Sequence, residues 1–281
     1  MLNGRTRSRL NQPISLASRD VRPGIEPTTQ ARAVDHALRG IIFDLGNTLM
    51  YFDGDWEATI RQGAINLSRF LVRHGVPIDA DRLADSFLAE RQAGLEQATL
   101  TGQEVTCGQV IESLLTRAAA RPGLFDLVPR ATRVYFELEE AAWTAYPAAR
   151  ATLRSLQRQG YRLGVLSNAT DDPLIQRLVN RLGLRPYLSP VFSSAKLGWR
   201  KPKPQAFEAI LSRWNLPAES VLMVGDTLDT DIKGAHDVGM RAVLIAPDEQ
   251  ISDRPDQNTI QPEATIRSIG ELPALLETWR L

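Results

Sequence analysis

The chain has 281 residues, long enough to bury a sizeable hydrophobic interior as one large domain or as a core with a smaller insert. Its 33 Lys and Arg balance its 33 Asp and Glu, so no global field draws it to nucleic acid or to an anionic membrane, and any phosphate recognition must be local. One cysteine, Cys107, excludes an intrachain disulfide framework and a cysteine zinc cluster and fits a reducing cytoplasm; no apolar run reaches the roughly 18 residues needed to cross a bilayer.

Residues 1–39 carry seven arginines among Ser, Thr and Pro without a sustained apolar period. They read as a disordered extension. Arginine excess also marks organelle-targeting segments, but the amphipathic period is poor and no signal-peptide-like apolar core follows Met1. Order is expected from Gly40-Ile41-Ile42-Phe43-Asp44, an apolar run that stops on a carboxylate, as a buried parallel strand does at a functional edge.

From Trp56 to about Ala145 the pattern becomes helical. Trp56, Ile60, Leu67 and Leu71 fall on one face, Leu83 pairs with Phe87, and Val110 with Leu114. An all-helical stretch between strands predicts a cap over residues 56–145, with residues 40–55 and 146–281 forming the core. Trp56, Tyr135 and Trp143 read as helix core, and Arg61, Arg69, Arg73 and Arg91 as a solvated helix face. Nothing in this stretch spells out a substrate. Cys107 reads as inert, and His36, His74 and His236 lack metal-ligand spacing.

After Pro147, Leu153 and Leu156 lead through Gly160 into Leu163-Gly164-Val165-Leu166 and then Ser167-Asn168. Helix 173–182, a short strand near 191–192, helix 204–214, strand 221–225, helix 231–238, strand 242–246 and a helix near 271–280 follow, with 247–263 as a loop. Regular alternation of this kind implies an α/β fold, a Rossmann-like parallel sheet whose ligands sit at the carboxyl ends of its strands.

Four segments carry the chemistry: Asp44-Leu45-Gly46-Asn47-Thr48-Leu49, Ser167-Asn168, Lys201-Pro202-Lys203-Pro204 and Gly225-Asp226-Thr227-Leu228-Asp229-Thr230-Asp231. In that order over residues 40–280, three of them after apolar strands, they resemble the haloacid dehalogenase-like hydrolase superfamily, in its members with a helical cap between the first two motifs. The resemblance implies a nucleophilic aspartate at Asp44, a Mg²⁺ ion, and hydrolysis of a small phosphorylated metabolite through an aspartyl-phosphate.

The residue types suit that chemistry. A carboxylate attacks an anionic phosphate ester only when cations neutralise the phosphoryl oxygens and hold the group in line. Asp44, Asp226 and the Gly46 carbonyl offer Mg²⁺ hard oxygen ligands, with Asp231 completing or orienting the set and Asp229 a less direct candidate. Lys201 supplies a fixed positive charge between prolines. Ser167, Asn168 and Thr48 offer donors to phosphoryl oxygens.

One position departs from the pattern. Phosphatases of this family carry a second Asp two residues after the nucleophile as general acid and base; here that residue is Gly46. A missing general acid costs about 10²–10⁴ in rate. Either another acid, with Asp53 and Asp55 as candidates, takes its place, or the substrates are good leaving groups such as sugar 1-phosphates, or the reaction is a dehalogenation, in which halide departs without a proton. The last reading conflicts with the metal-like acids at 226–231. A non-catalytic relative that binds Mg²⁺ and phosphate is the remaining alternative.

Overall fold

The computed structural model describes residues 37–246 and 260–279. The expected extension before Ala37 and the expected loop up to Thr259 lie outside the described residues. In chain order the strands and α-helices are β1 (Gly40–Phe43), β2 (Met50–Phe52), α1 (Trp56–Arg73), α2 (Ala80–Thr101), α3 (Cys107–Arg117), α4 (Val128–Ala142), β3 (Trp143–Ala145), α5 (Ala149–Arg158), β4 (Arg162–Ser167), α6 (Asp172–Arg181), β5 (Val191–Ser193), α7 (Ser194–Leu197), α8 (Pro204–Trp214), β6 (Val221–Gly225), α9 (Lys233–Asp237), β7 (Arg241–Ile245), β8 (Ala264–Ile266) and α10 (Leu272–Thr278).

Six parallel strands form the core sheet in the order β5-β4-β1-β6-β7-β8. β1 is central, and all four of its residues are buried, which explains why its sequence is continuously apolar rather than alternating. Because β4 pairs with one side of β1 and β6 with the other, the strand order reverses beside β1, and its carboxyl end opens into the crevice where ligands of such sheets bind. β8 pairs with β7 as an edge strand that the three residues Ala264-Thr265-Ile266 are too short to announce by alternation.

Between β2 and β3 the chain is helical. Asp55 and Asp79 cap α1 and α2, and Thr106 and Gln109 form a capping box at α3. α1 buries Ala64, Leu67 and Leu71, α2 buries Leu83 and Phe87, and Phe87 meets Tyr135 of α4 edge-on at 4.7 Å between ring centres. Each such side chain contributes about 1.5–3 kcal/mol on burial. The cap therefore has its own apolar interior.

The periodicity misplaces two details. Trp56 does not follow Leu67 and Leu71 inward but is 43% exposed. Helical structure also ends before Ala145: Trp143–Ala145 pairs antiparallel with Met50–Phe52, in the register Met50 with Ala145, Tyr51 with Thr144 and Phe52 with Trp143. The two chain crossings between core and cap thus form one ribbon.

Candidate active site

The core places its polar residues at strand ends. Asp44 follows β1 and continues its ladder, donating its N–H to Val224 O at 2.9 Å. The chain then turns through Asn47, whose φ of 53° lies in the left-handed region that asparagine tolerates. Leu45 O receives the N–H groups of both Leu49 and Met50, which fixes the turn. Thr48 is buried in it with a hydroxyl that has no hydrogen-bond partner. Ser167 closes β4 and is buried.

Lys201 is 3% exposed, and its ammonium lies 2.5 Å from Asp44 Oδ1 and 2.7 Å from Asp231 Oδ1. Its main chain is clamped by Asn168, which accepts from Lys201 N at 2.8 Å and donates to Lys201 O at 3.0 Å. Both ends of the Asn168 amide are therefore committed to positioning Lys201. One N–H of the amide and the main-chain N–H remain to donate to a ligand.

Asp226 follows β6, and Asp231 sits on a single π-helical turn over Leu228–Ile232, a feature that recurs at functional sites. Asp231 Oδ2 accepts from Thr227 N at 3.1 Å. A Cβ at Gly225 would lie 2.3 Å from Asp231 Oδ2, so only glycine lets that carboxylate approach the strand end. Asp229 is exposed and stands outside the cluster.

Oxygen atoms of Asp44, Asp226 and Asp231 all lie within 4.8 Å of one another. Three carboxylates face one ammonium. The surplus negative charge is unfavourable in a partly buried site, and the Asp226 carboxylate receives only long hydrogen bonds, from Asn47 at 3.5 Å and Thr227 at 3.4 Å. Hard oxygen donors with surplus charge fit a divalent cation such as Mg²⁺.

The electrostatics follow. Burial, opposed by Lys201 and aided by Asp231 and Asp226, pushes the Asp44 carboxyl up to about 7. Burial and Asp231 raise Asp226 against the pull of Lys201. Burial alone would lower Lys201, but the attraction of Asp231 and Asp44 outweighs it and raises its pKa.

Beside this carboxylate–lysine floor, whose own four charged residues do not line it, lies a cavity of about 210 Å³ bounded on the core side by Gly46, Ser167 and Asn168 and on the cap side by Trp56, Arg91, Glu139 and Trp143, among others. Trp143 reaches the loop after Asp44. A Cβ on Gly46 would meet the Trp143 ring at 3.4 Å, an ordinary contact, so the indole packs beside the position of the family's second aspartate. Neither Asp53 nor Asp55 lines this cavity; Asp53 is exposed, and Asp55 caps α1.

Sequence reasoning took Trp56 and Trp143 for helix core, and Arg91 for a solvated residue. All three face the cavity. Their signal lies in tertiary structure, because the helices and ribbon that carry them meet the site only once the cap is docked. Tyr135 and Cys107 are buried as expected, and burial raises the Cys107 thiol far above its usual range, which leaves it inert.

Residues 38–239 match the family model of the haloacid dehalogenase-like hydrolases. The chain belongs to this family. A ribulose-1,5-bisphosphate 5-phosphatase from Halopiger xanaduensis is 35% identical over 150 residues, half of this chain and 62% of that protein, so the match spans less than two thirds of that relative. A glyceraldehyde 3-phosphate phosphatase from Methanothermobacter thermautotrophicus is 26% identical over 74% of this chain and 85% of its own length. Among solved structures, a 2-haloacid dehalogenase from Pseudomonas syringae superposes with a TM-score of 0.66 at 24% identity, covering 86% of this chain and 99% of that one. That likeness shows the fold: a haloacid dehalogenase-like hydrolase with a parallel core sheet and an inserted helical cap. No helix of the described residues is long and apolar enough to cross a membrane.

Proposed function

We propose that this hydrolase cleaves small phosphomonoesters through an aspartyl-phosphate on Asp44, with Mg²⁺ held by Asp44, the Gly46 carbonyl, Asp226 and Asp231. The observation that carries the reading is the charge balance of the floor: three clustered carboxylates around one buried lysine. A metal-free dehalogenase gains nothing from that surplus. The phosphatases described above as relatives support the phosphomonoester class. When bound, Mg²⁺ supplies positive charge opposite the phosphoryl oxygens.

Asp44 is the nucleophile. One of its carboxylate oxygens forms the bond to phosphorus as the ester P–O bond breaks and its electron pair leaves with the alcohol oxygen. Lys201, held by Asn168, offsets the repulsion between carboxylate and phosphate. Ser167, Thr48 and the main chain after Asp44 and at Asn168 are the proposed phosphoryl-oxygen donors. Water then attacks the aspartyl-phosphate, releasing phosphate and restoring Asp44. With Trp143 beside Gly46 and Asp53 and Asp55 outside the cavity, the departing oxygen takes its proton from solvent, which favours good leaving groups.

Phosphate release from aryl, anomeric and alkyl phosphates, with Mg²⁺ and with EDTA, tests this. EDTA should stop release and Mg²⁺ restore it, and rates should fall steeply as leaving-group pKa rises. Full turnover in EDTA would favour the dehalogenase reading. No dependence on leaving-group pKa in a chemically limited series would mean that another residue is the acid.

A further inference from the structure

The cap side of the cavity carries two polar groups that the mechanism does not use. Arg91, on α2, lines the cavity with its Nε buried and without a hydrogen-bond partner. None of the ion pairs among the described residues involves it, and its guanidinium rests 5.8 Å from the centre of the Tyr135 ring. Glu139, on α4, is 8% exposed and lines the same cavity. Its Oε1 accepts from Trp143 Nε1 at 3.3 Å, while Oε2 is buried with no partner. The other cation of the wall, Arg200, is already satisfied by both oxygens of Glu104 at 3.0 and 2.8 Å.

A guanidinium nitrogen and a carboxyl oxygen buried without hydrogen-bond partners are costly, although the rest of the half-buried Arg91 guanidinium interacts with Tyr135 and Glu139, and a ligand that enters the cavity can supply the missing bonds. The remaining wall is largely apolar, with Met50, Leu95, Phe136, Leu174, Ile175 and Leu178. We propose that Arg91, with Glu139 beside it, binds a carboxylate at the end of the substrate opposite the scissile phosphate. This rests on the phosphomonoester reading above. The guanidinium matches the planar carboxylate. Burial raises the Glu139 carboxyl, against the pull of Trp143 and Arg91, which favours its protonated, hydrogen-donating form. At about 210 Å³ the cavity falls below the roughly 300–1,000 Å³ of drug-sized pockets, so the body joining the two acidic groups is short.

Binding of two matched phosphonates in Mg²⁺, 3-phosphonopropanoate and propylphosphonate, measured by calorimetry on the full chain, tests the assignment without turnover. The carboxylate ligand should bind about 10- to 100-fold more tightly. Arg91→Met should remove most of that preference, and Arg91→Lys, which keeps the charge, should retain part of it. Glu139→Gln, which can still donate, should hold the preference better than Glu139→Ala. Equal affinity of the two ligands for the wild type, or an unchanged ratio in a folded Arg91→Met, would overturn the assignment and leave Arg91 a structural residue; should that variant not fold, an undiminished ratio in Arg91→Lys and Glu139→Ala together would do the same. Turnover of p-nitrophenyl phosphate reads the hydrolase separately: its absence alongside a retained, Arg91-dependent ratio would overturn the catalytic reading and support the pocket.

Discussion

The floor of the site and the ceiling of the cavity beside it are built on opposite terms. On the floor three of the four charged groups have an assigned place: Asp44 is held by the ladder of β1 and β6, Lys201 by Asn168 and two carboxylates, and Asp231 by Thr227 and the bare backbone of Gly225, while Asp226 receives only long hydrogen bonds. On the ceiling Trp143 and Trp56 bring apolar surface, and Arg91 and Glu139 bring polar atoms with no protein partner. Chemistry that is the same for every substrate needs preorganised charge. Selection needs groups that are satisfied only by the right ligand.

The largest test of that division is Asp44→Asn. It should cut phosphate release by on the order of 10⁴-fold or more while the fold persists, as read by steady-state kinetics with a thermal unfolding control. Wild-type-like turnover would remove the nucleophile from the floor. A second test moves a floor function into ceiling space. Gly46 is not in the left-handed region, so its backbone accepts a side chain, and the indole is the neighbour that side chain meets. Gly46→Asp alone should gain little, whereas Gly46→Asp with Trp143→Ala should raise alkyl-phosphate hydrolysis toward the roughly 10²–10⁴ that a general acid supplies, and aryl-phosphate hydrolysis by less. No gain in the double variant on either substrate would show that lack of an acid does not limit this enzyme. The smallest test concerns the seam. Glu104, in the cap loop after α2, receives Arg200 and the Ser194 hydroxyl of the core. Glu104→Gln should destabilise the protein by about 2 kcal/mol in chemical denaturation and speed hydrogen exchange at residues 102–107. Unchanged stability would mark the contact as dispensable.

The same division decides what could be read in advance. Floor residues come in short segments at strand ends, where an apolar run stopping on Asp44, Ser167 or Gly225-Asp226 is visible in one dimension. The parallel sheet and helical insert follow from the same alternation. Trp143, Glu139 and Arg91 offer no such mark, because a helix or ribbon residue that turns toward another lobe has the local pattern of one that turns toward its own core or toward water. The clamp of Asn168 on Lys201 joins residues 33 positions apart, a separation that hides it in the sequence. β8 and the ribbon strands have three residues each, too few for period-two alternation to stand out.

The ribbon has a mechanical meaning. The two crossings between core and cap, Met50–Phe52 and Trp143–Ala145, are hydrogen-bonded rung by rung, so neither can twist without taking the other along. They behave as one torsion bar. Trp143 sits on its last rung, opposite Phe52, with its ring against Gly46. A rotation of the cap about this ribbon would carry the indole with it, which couples access to the pocket with the shape of its wall beside Gly46.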